Sequence, residues 1–282
     1  MITDQETNRV YLSELLRKPP HDKFCRELET LLKSYKVDTH FLPLTRGIWC
    51  RDFMPVQIGT NEFIAYRYDP DYLQGKMYRI EKSYPDVICQ YLSLPVTTTD
   101  LILDGGNIIK MKDYLVMTDK IFPENKPHYT KTQLIEALKK LFRVKDILLI
   151  PWDDQEDEFG HADGMVRLLS DNKLLVNSFV KDDPFFKSFF KQLEKYNIDY
   201  ELLSFTGDSL APDKNWAYIN YLQTDSLLLI PQFGIQEDQQ AVEALTRLFP
   251  HYAASNRIAT IVATSLLDEG GALNCISWTI RI

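Results

Sequence analysis

Five stretches of this chain carry apolar residues at helical spacing. They recur roughly every 50–60 residues, as a repeated supersecondary unit does. Residues 22–36 place Phe24, Leu28, Leu31 and Leu32 on one face. Residues 86–92 do so with Val87, Ile88 and Tyr91, and residues 130–143 with Leu134, Ile135, Leu138, Leu141 and Phe142. Residues 183–196 use Phe185, Phe189 and Leu193, with Asp183 suited to cap the helix and Pro184 to begin it. Residues 237–248 use Val242, Leu245 and Leu248. Between these helices, runs rich in Val, Ile, Leu and Tyr predict strands at 56–58, 63–67, 101–110, 114–118, 146–150, 165–169, 173–177, 216–222, 226–230, 258–262 and 273–280. Each helix thus goes with two or three strands. Five such units can close into a ring with no free end; an open α/β sandwich satisfies the same pattern. No linker, low-complexity tract or change of composition divides the 282 residues, so the expectation is one α/β domain over 1–282.

Hydrophobic residues make up 45% and charged residues 26%, enough to build a buried core under a charged surface. The formal net charge of −8 works against nucleic-acid binding, which needs clustered Lys and Arg. The first ten residues hold no signal-like apolar run, and no segment approaches the length of a membrane span. Four scattered cysteines, Cys25, Cys50, Cys89 and Cys275, form no C-x-x-C pair. That pattern argues against a zinc ribbon or a disulfide framework and for a reducing compartment. The expected setting is cytoplasmic, with neither membrane nor nucleic acid as partner; a homo-oligomer remains open.

The chemistry gathers in four glycine-flanked segments. Cys275 ends Glu269-Gly270-Gly271-Ala272-Leu273-Asn274-Cys275. The others are Trp49-Cys50-Arg51-Asp52, Asp104-Gly105-Gly106-Asn107 and Gly160-His161-Ala162-Asp163-Gly164. A cysteine and a histidine can act as nucleophile and acid/base. Carboxylates around them ask for a cation, and a guanidinium, with its planar N–H fork, suits carboxylates best. Each residue also has a plain structural reading. Free cysteines are usually small buried hydrophobes, and Cys25 and Cys89, inside helical patterns, fit that reading; Cys50 is ambiguous. His161 could be a hydrogen-bonded structural histidine. Its H-x-D spacing to Asp163, on an extended segment, would turn both side chains to one side. Asp52 could pair with Arg51 or cap a turn, and Asp104 could be a turn aspartate. The acidic run 153–158 reads as a solvated loop, without EF-hand spacing. Zinc held by Cys275, His161 and an aspartate has no sequence-local ligand pair behind it. Phosphate-binding, serine-hydrolase and dinucleotide fingerprints are missing from the sequence.

Taken in order, W-x-R-D at 49–52, D-G-G-N at 104–107, G-H-x-D-G at 160–164, Y-I-N-Y at 218–221, P-Q-F-G at 231–234 and G-G-x-x-N-C at 270–275 resemble the agmatine deiminase and Porphyromonas-type peptidylarginine deiminase family, part of the guanidino-group-modifying superfamily. The resemblance implies a five-bladed α/β propeller of strand-strand-helix-strand units with its site on the central axis. It implies Cys275 as nucleophile, His161 as general acid/base, and Asp52 and Asp163 as carboxylates on the guanidinium. Asp104 matches an acidic position that is more often glutamate, Asp157 lies near another acidic position, and Trp49 and Asn220 would lie against the substrate. Neither metal nor organic cofactor is implied. The implied activity is hydrolysis of a guanidine, agmatine first, to a ureido product and ammonia through a covalent adduct on Cys275. Arg167 could meet a substrate carboxylate, which keeps arginine and peptidyl-arginine in view. Amidino transfer and a non-catalytic guanidine-binding role are the remaining alternatives. Three departures stand out: Asn274 replaces a histidine, Phe53-Met54-Pro55 replaces a Gly-Pro form, and the chain is shorter than typical agmatine deiminases.

Overall fold

A computed structural model describes residues 1–155, 157–207 and 210–282. Among the described residues, fifteen strands form five three-stranded sheets. The strands are β1 (Arg9–Ser13), β2 (Asp38–Leu42), β3 (Val56–Gly59), β4 (Glu62–Arg67), β5 (Val96–Ile102), β6 (Ile109–Lys110), β7 (Tyr114–Thr118), β8 (Asp146–Ile150), β9 (Val166–Ser170), β10 (Lys173–Asn177), β11 (Asp199–Leu203), β12 (Leu222–Gln223), β13 (Leu228–Gln232), β14 (Ile258–Val262) and β15 (Ser277–Ile280). Every sheet repeats one pattern. An inner strand pairs antiparallel with a middle strand, and a helix then crosses over to an outer strand parallel to the middle one. The crossover helices are α1 (Asp22–Ser34), α2 (Pro85–Tyr91), α3 (Lys131–Phe142), α4 (Lys187–Tyr196) and α5 (Glu237–Leu248). They are the five helices expected from the periodicity. Thr130 and Gln133 form a capping box at the start of α3, and Asp183 accepts a hydrogen bond from Phe185 N ahead of α4.

Four sheets are continuous in sequence; the fifth is not. β15 supplies the inner strand for β1, pairing Arg9 with Ile280 through to Leu12 with Ser277. The last strand therefore closes the ring, and the fold is a five-bladed α/β propeller rather than an open sandwich. β1, β2, β5 and β11 were not predicted: β1 lies in a polar-looking N-terminus, and β5, Val-Thr-Thr-Thr-Asp-Leu-Ile, is a half-exposed outer strand with little apolar signal. Three predicted strands are shorter than expected. Within 101–110 the Asp104-Gly-Gly-Asn turn separates the end of β5 from β6; 216–219 is a 3-10 turn ahead of β12; and 273–276 turn before β15 starts.

The inner strands are short and buried, and each sends one polar side chain to the axis: Gln57, Lys110, Arg167, Gln223 and Thr279. Asp4, just ahead of β1, meets the cations among them. Cys25, Cys50 and Cys89 are core residues; Cys50 is fully buried in the short helical turn Cys50–Phe53. No helix among the described residues is long and apolar enough to cross a membrane.

Trp278 of β15 fastens the closure. Its indole N–H donates to Pro55 O at 2.7 Å, and its ring packs against Tyr11 and Phe63 at centroid distances of 5.0 and 6.0 Å. Trp278→Ala is expected to cost about 3–5 kcal/mol in denaturant unfolding, the range for a buried aromatic. A cost below about 1 kcal/mol would show that the ring does not depend on this contact.

Candidate active site

The four glycine-flanked segments meet at one end of the axis, around a cavity of about 550 Å³. Cys275, His161, Asp52 and Trp49 line it. Asp163, Asp104 and Asn220 stand directly behind that lining and hold it in place. Cys275 Sγ donates toward Asn220 Oδ1 at 3.3 Å and toward Asp163 Oδ2 at 3.7 Å. The same Asn220 oxygen accepts from the backbone N–H groups of Asn274 and Cys275, at 3.0 and 3.3 Å, and so fixes the turn that carries the thiol. Asn274 Nδ2 donates to Asp163 Oδ2 at 2.6 Å. Thus the asparagine that replaces the expected histidine contacts a site carboxylate.

Opposite the thiol, His161 Nε2 lies 3.0 Å from Asp104 Oδ2, and its Nδ1 lies 3.9 Å from Asp52 Oδ1. Two glycines permit this packing. A Cβ on Gly106 would sit 2.5 Å from His161 Nδ1, and one on Gly271 would sit 2.4 Å from the Trp49 ring. Asp52 and Arg51 do not pair with each other. They lie on one helical turn and point apart, Asp52 into the cavity and Arg51 toward Asp4 on the axis. The segment 161–164 is not extended, contrary to expectation: Ala162–Gly164 form a 3-10 turn. His161 and Asp163 therefore reach the site from two sides, one against Asp104 and the other against Cys275.

Arg167 does not face the cavity. It is 3% exposed, pairs with Asp4 Oδ2 at 3.0 Å and donates to Tyr221 O at 3.0 Å, so it cannot meet a substrate carboxylate. Asp157 organises the approach to His161 by accepting from Phe159 N and Gly160 N at 3.0 and 2.8 Å. Of its neighbours, Asp154 and Gln155 form an exposed turn, Asp153 is half-buried, and Glu156 lies outside the described residues. Several contributors had no sequence signal. Tyr72 donates to Asp104 Oδ2 and packs edge-on to Phe159, and Tyr66 donates to Asp52 O at 2.5 Å. Buried Lys120 pins both covering loops, bonding Asp71 at 2.8 Å and the Glu158 and Phe159 carbonyls. Tyr66 comes from β4, Tyr72 from the 3-10 turn Asp71–Leu73 and Lys120 from the residue ahead of the short helix Ile121–Glu124, none of which bears a motif.

The electrostatics follow from burying several carboxylates together. Burial opposes charge on His161, but Asp104 and Asp52 outweigh it and raise the imidazole to about 10. Burial, then Asp104, pushes Asp52 well above the usual carboxylate range. Burial, then Asp163 and Asp52, pushes the Cys275 thiol well above its ordinary value. The thiol is accordingly neutral at pH 7 until a positive charge arrives beside it. Among the described residues one trio could hold a metal ion: Asp52, Asp104 and His161 bring donor atoms within 4.8 Å of one another. The same carboxylates can also accept hydrogen bonds from a cation that carries its own N–H groups. Asp104→Asn is expected to lower the His161 titration below about 10, read from its imidazole NMR shifts; an unmoved titration would mean Asp104 is not its main partner.

This geometry can be set beside known proteins. The family profile described as Porphyromonas-type peptidyl-arginine deiminase matches residues 5–280. A Mycoplasma mycoides relative with a provisional agmatine deiminase name is 24% identical over 231 residues, covering 67% of this chain and 60% of its own length. Agmatine deiminase of Medicago truncatula is 21% identical over 220 residues, covering 65% of this chain and 58% of its own length. The chain thus spans about 60% of the length of the curated relatives it matches. The solved agmatine deiminase of C. jejuni superposes with a TM-score of 0.76 at 17% identity, covering 99% of this chain and 95% of that one, which establishes the shared fold. Since the profile runs from the Asp4–Glu6 turn to the closing strand and takes in every motif-bearing segment, the chain belongs to the Porphyromonas-type peptidyl-arginine deiminase family.

Proposed function

We propose that this protein is a guanidine deiminase with agmatine as its foremost substrate. The observation that carries the reading is a thiol and an imidazole facing one cavity, with carboxylates rather than cations set behind them. Asp52, on the cavity wall, accepts from the guanidinium N–H groups, and Asp163, buried beside the Cys275 thiol, is the second carboxylate they meet as the guanidinium carbon closes on the sulfur. The arriving cation offsets the burial and the carboxylates that hold the thiol neutral, and Cys275 passes its proton to water. The thiolate attacks the guanidinium carbon, forming a C–S bond. His161, as imidazolium, delivers its proton to the departing nitrogen; the C–N bond breaks and ammonia leaves. A thiouronium adduct remains on Cys275. Neutral His161 then takes a proton from water as the water oxygen attacks that carbon. The C–S bond breaks, the remaining hydroxyl proton on that carbon passes to the departing sulfur, Cys275 returns to its neutral thiol and the ureido product is released. Asp104 keeps His161 charged for the first half of the cycle.

Agmatine is favoured over arginine by the cavity mouth. Glu81, Glu158 and Glu269 outnumber Lys18 and Arg46 there, which suits a substrate whose far end is an ammonium rather than a carboxylate. Arg167, the candidate for a carboxylate partner, is committed to Asp4. Its relatives' names point the same way.

Ammonia release should be assayed with agmatine, free arginine and an arginyl peptide in parallel. The expected result is highest kcat/KM for agmatine, and a loss of at least about 1,000-fold in Cys275→Ala and in His161→Ala. Wild-type turnover in either variant would sink the mechanism, and preference for arginine would overturn the substrate. Thiol reactivity gives an independent check. At pH 7 a cationic haloacetamidine should modify Cys275 at least about tenfold faster than neutral iodoacetamide, relative to a free thiol. Equal ratios would mean that the carboxylates do not govern the thiol.

A further inference from the structure

The other end of the axis holds more positive charge than its own carboxylate can balance. Lys110 of β6, Arg167 of β9 and Arg51 converge on Asp4 alone, at 2.8, 3.0 and 3.6 Å. Among the described residues no second carboxylate pairs with any of the three. Arg167 and Arg51 also donate to the carbonyls of Tyr221 and Asn274. Burying several cations against one carboxylate is costly unless another anion joins them.

The space beside them has the right size and chemistry for one. Two small cavities flank the Arg51–Lys110 pair: one of about 10 Å³ on the side of Asp4 and Arg167, the other of about 20 Å³ against Gln57 and Thr279. Thr279 is 2% exposed, and its Oγ1 has no hydrogen-bond partner. Gln57, by contrast, spends its amide on the backbone of Arg281. An ammonium, a guanidinium and a free hydroxyl donor around a hole of this volume would bind a small anion; phosphate or an organic carboxylate would not fit.

We propose that a chloride-sized monovalent anion binds on the propeller axis between Arg51, Lys110 and Thr279 and stabilises the ring from its core. The site also touches the catalytic end, because Arg51 N donates to Cys275 O at 3.0 Å and Asp52 follows Arg51 in the chain. It does not depend on the reaction proposed for Cys275, and its test needs no activity.

The test compares melting of the full chain in sodium chloride, bromide and gluconate at one ionic strength, together with anomalous diffraction from bromide-grown crystals. Both halides should raise Tm over gluconate by about 2–4 °C. A bromide peak should lie between Arg51, Lys110 and Thr279. Thr279→Val, which keeps shape and every charge, should weaken halide affinity about tenfold by removing the hydroxyl donor, and Lys110→Met should abolish the halide increment. No peak at that position, or an increment that persists in both variants as a general salt effect, would overturn the proposal.

Discussion

The antiparallel pairing of β15 with β1 is the constraint on which the rest depends. Cys275 lies two residues before β15, and Asp4 lies five residues before β1. Zipping these two strands therefore sets the thiol at one end of the axis and the Asp4 carboxylate at the other in a single step. The remaining site segments reach the same centre because each immediately precedes an inner strand. Asp52 stands ahead of β3, Asp104 ahead of β6, His161 and Asp163 ahead of β9, Asn220 ahead of β12 and Cys275 ahead of β15. One repeated topology thus presents five turns at one mouth. Polar residues at the start of an inner strand are positioned by the ring rather than by their own loops, which is the rigidity that a catalytic constellation requires.

Charge is divided along that axis. Carboxylates crowd the cavity end and cations crowd the far end, with Arg51 and Asp52, neighbours in sequence, facing opposite ways at the boundary. A helical turn makes that split possible, since consecutive residues on it point roughly 100° apart. The cavity end is rich in carboxylates, and burial together with Asp163 and Asp52 holds the Cys275 thiol neutral. Under the proposed function, a guanidinium supplies the positive charge that these carboxylates call for. Under the proposed function, the thiolate forms only when its target is present, which spares a permanently charged thiolate from adventitious oxidation.

Much of this was legible in the sequence, for identifiable reasons. The five helices announced themselves because each buries one face on its sheet, and that requirement writes a 3.6-residue period into the chain. The outer strand β5 did not, because half-exposed Thr-Thr-Thr-Asp carries no alternation to read. The site residues within motifs were visible because glycines beside them mark close approach, as Gly106 against His161 and Gly271 against Trp49 show. Tyr72, Tyr66 and Lys120 were not visible, because what joins them to Asp104, Asp52 and the covering loops is spatial packing across distant segments. Arg167 misled for the opposite reason. Its place next to a site motif suggested the cavity, but alternation along β9 turns it to the axis and leaves it to Asp4.

The replacement of histidine by Asn274 can be weighed on the same electrostatic footing. An imidazole at that position could carry a positive charge next to Asp163 and meet part of its demand for a cation. The amide instead donates one neutral hydrogen bond to Asp163 Oδ2, the oxygen nearest the thiol, and leaves its own Oδ1 without a partner. Asp163 is thereby held in place without being neutralised. The substitution leaves the pocket more dependent on its ligand for positive charge, and it makes Asn274 a positioning residue whose value lies in being uncharged. Under the proposed function, this departure from the family pattern favours a cationic ligand, because the amide leaves the Asp163 charge to be met by that ligand.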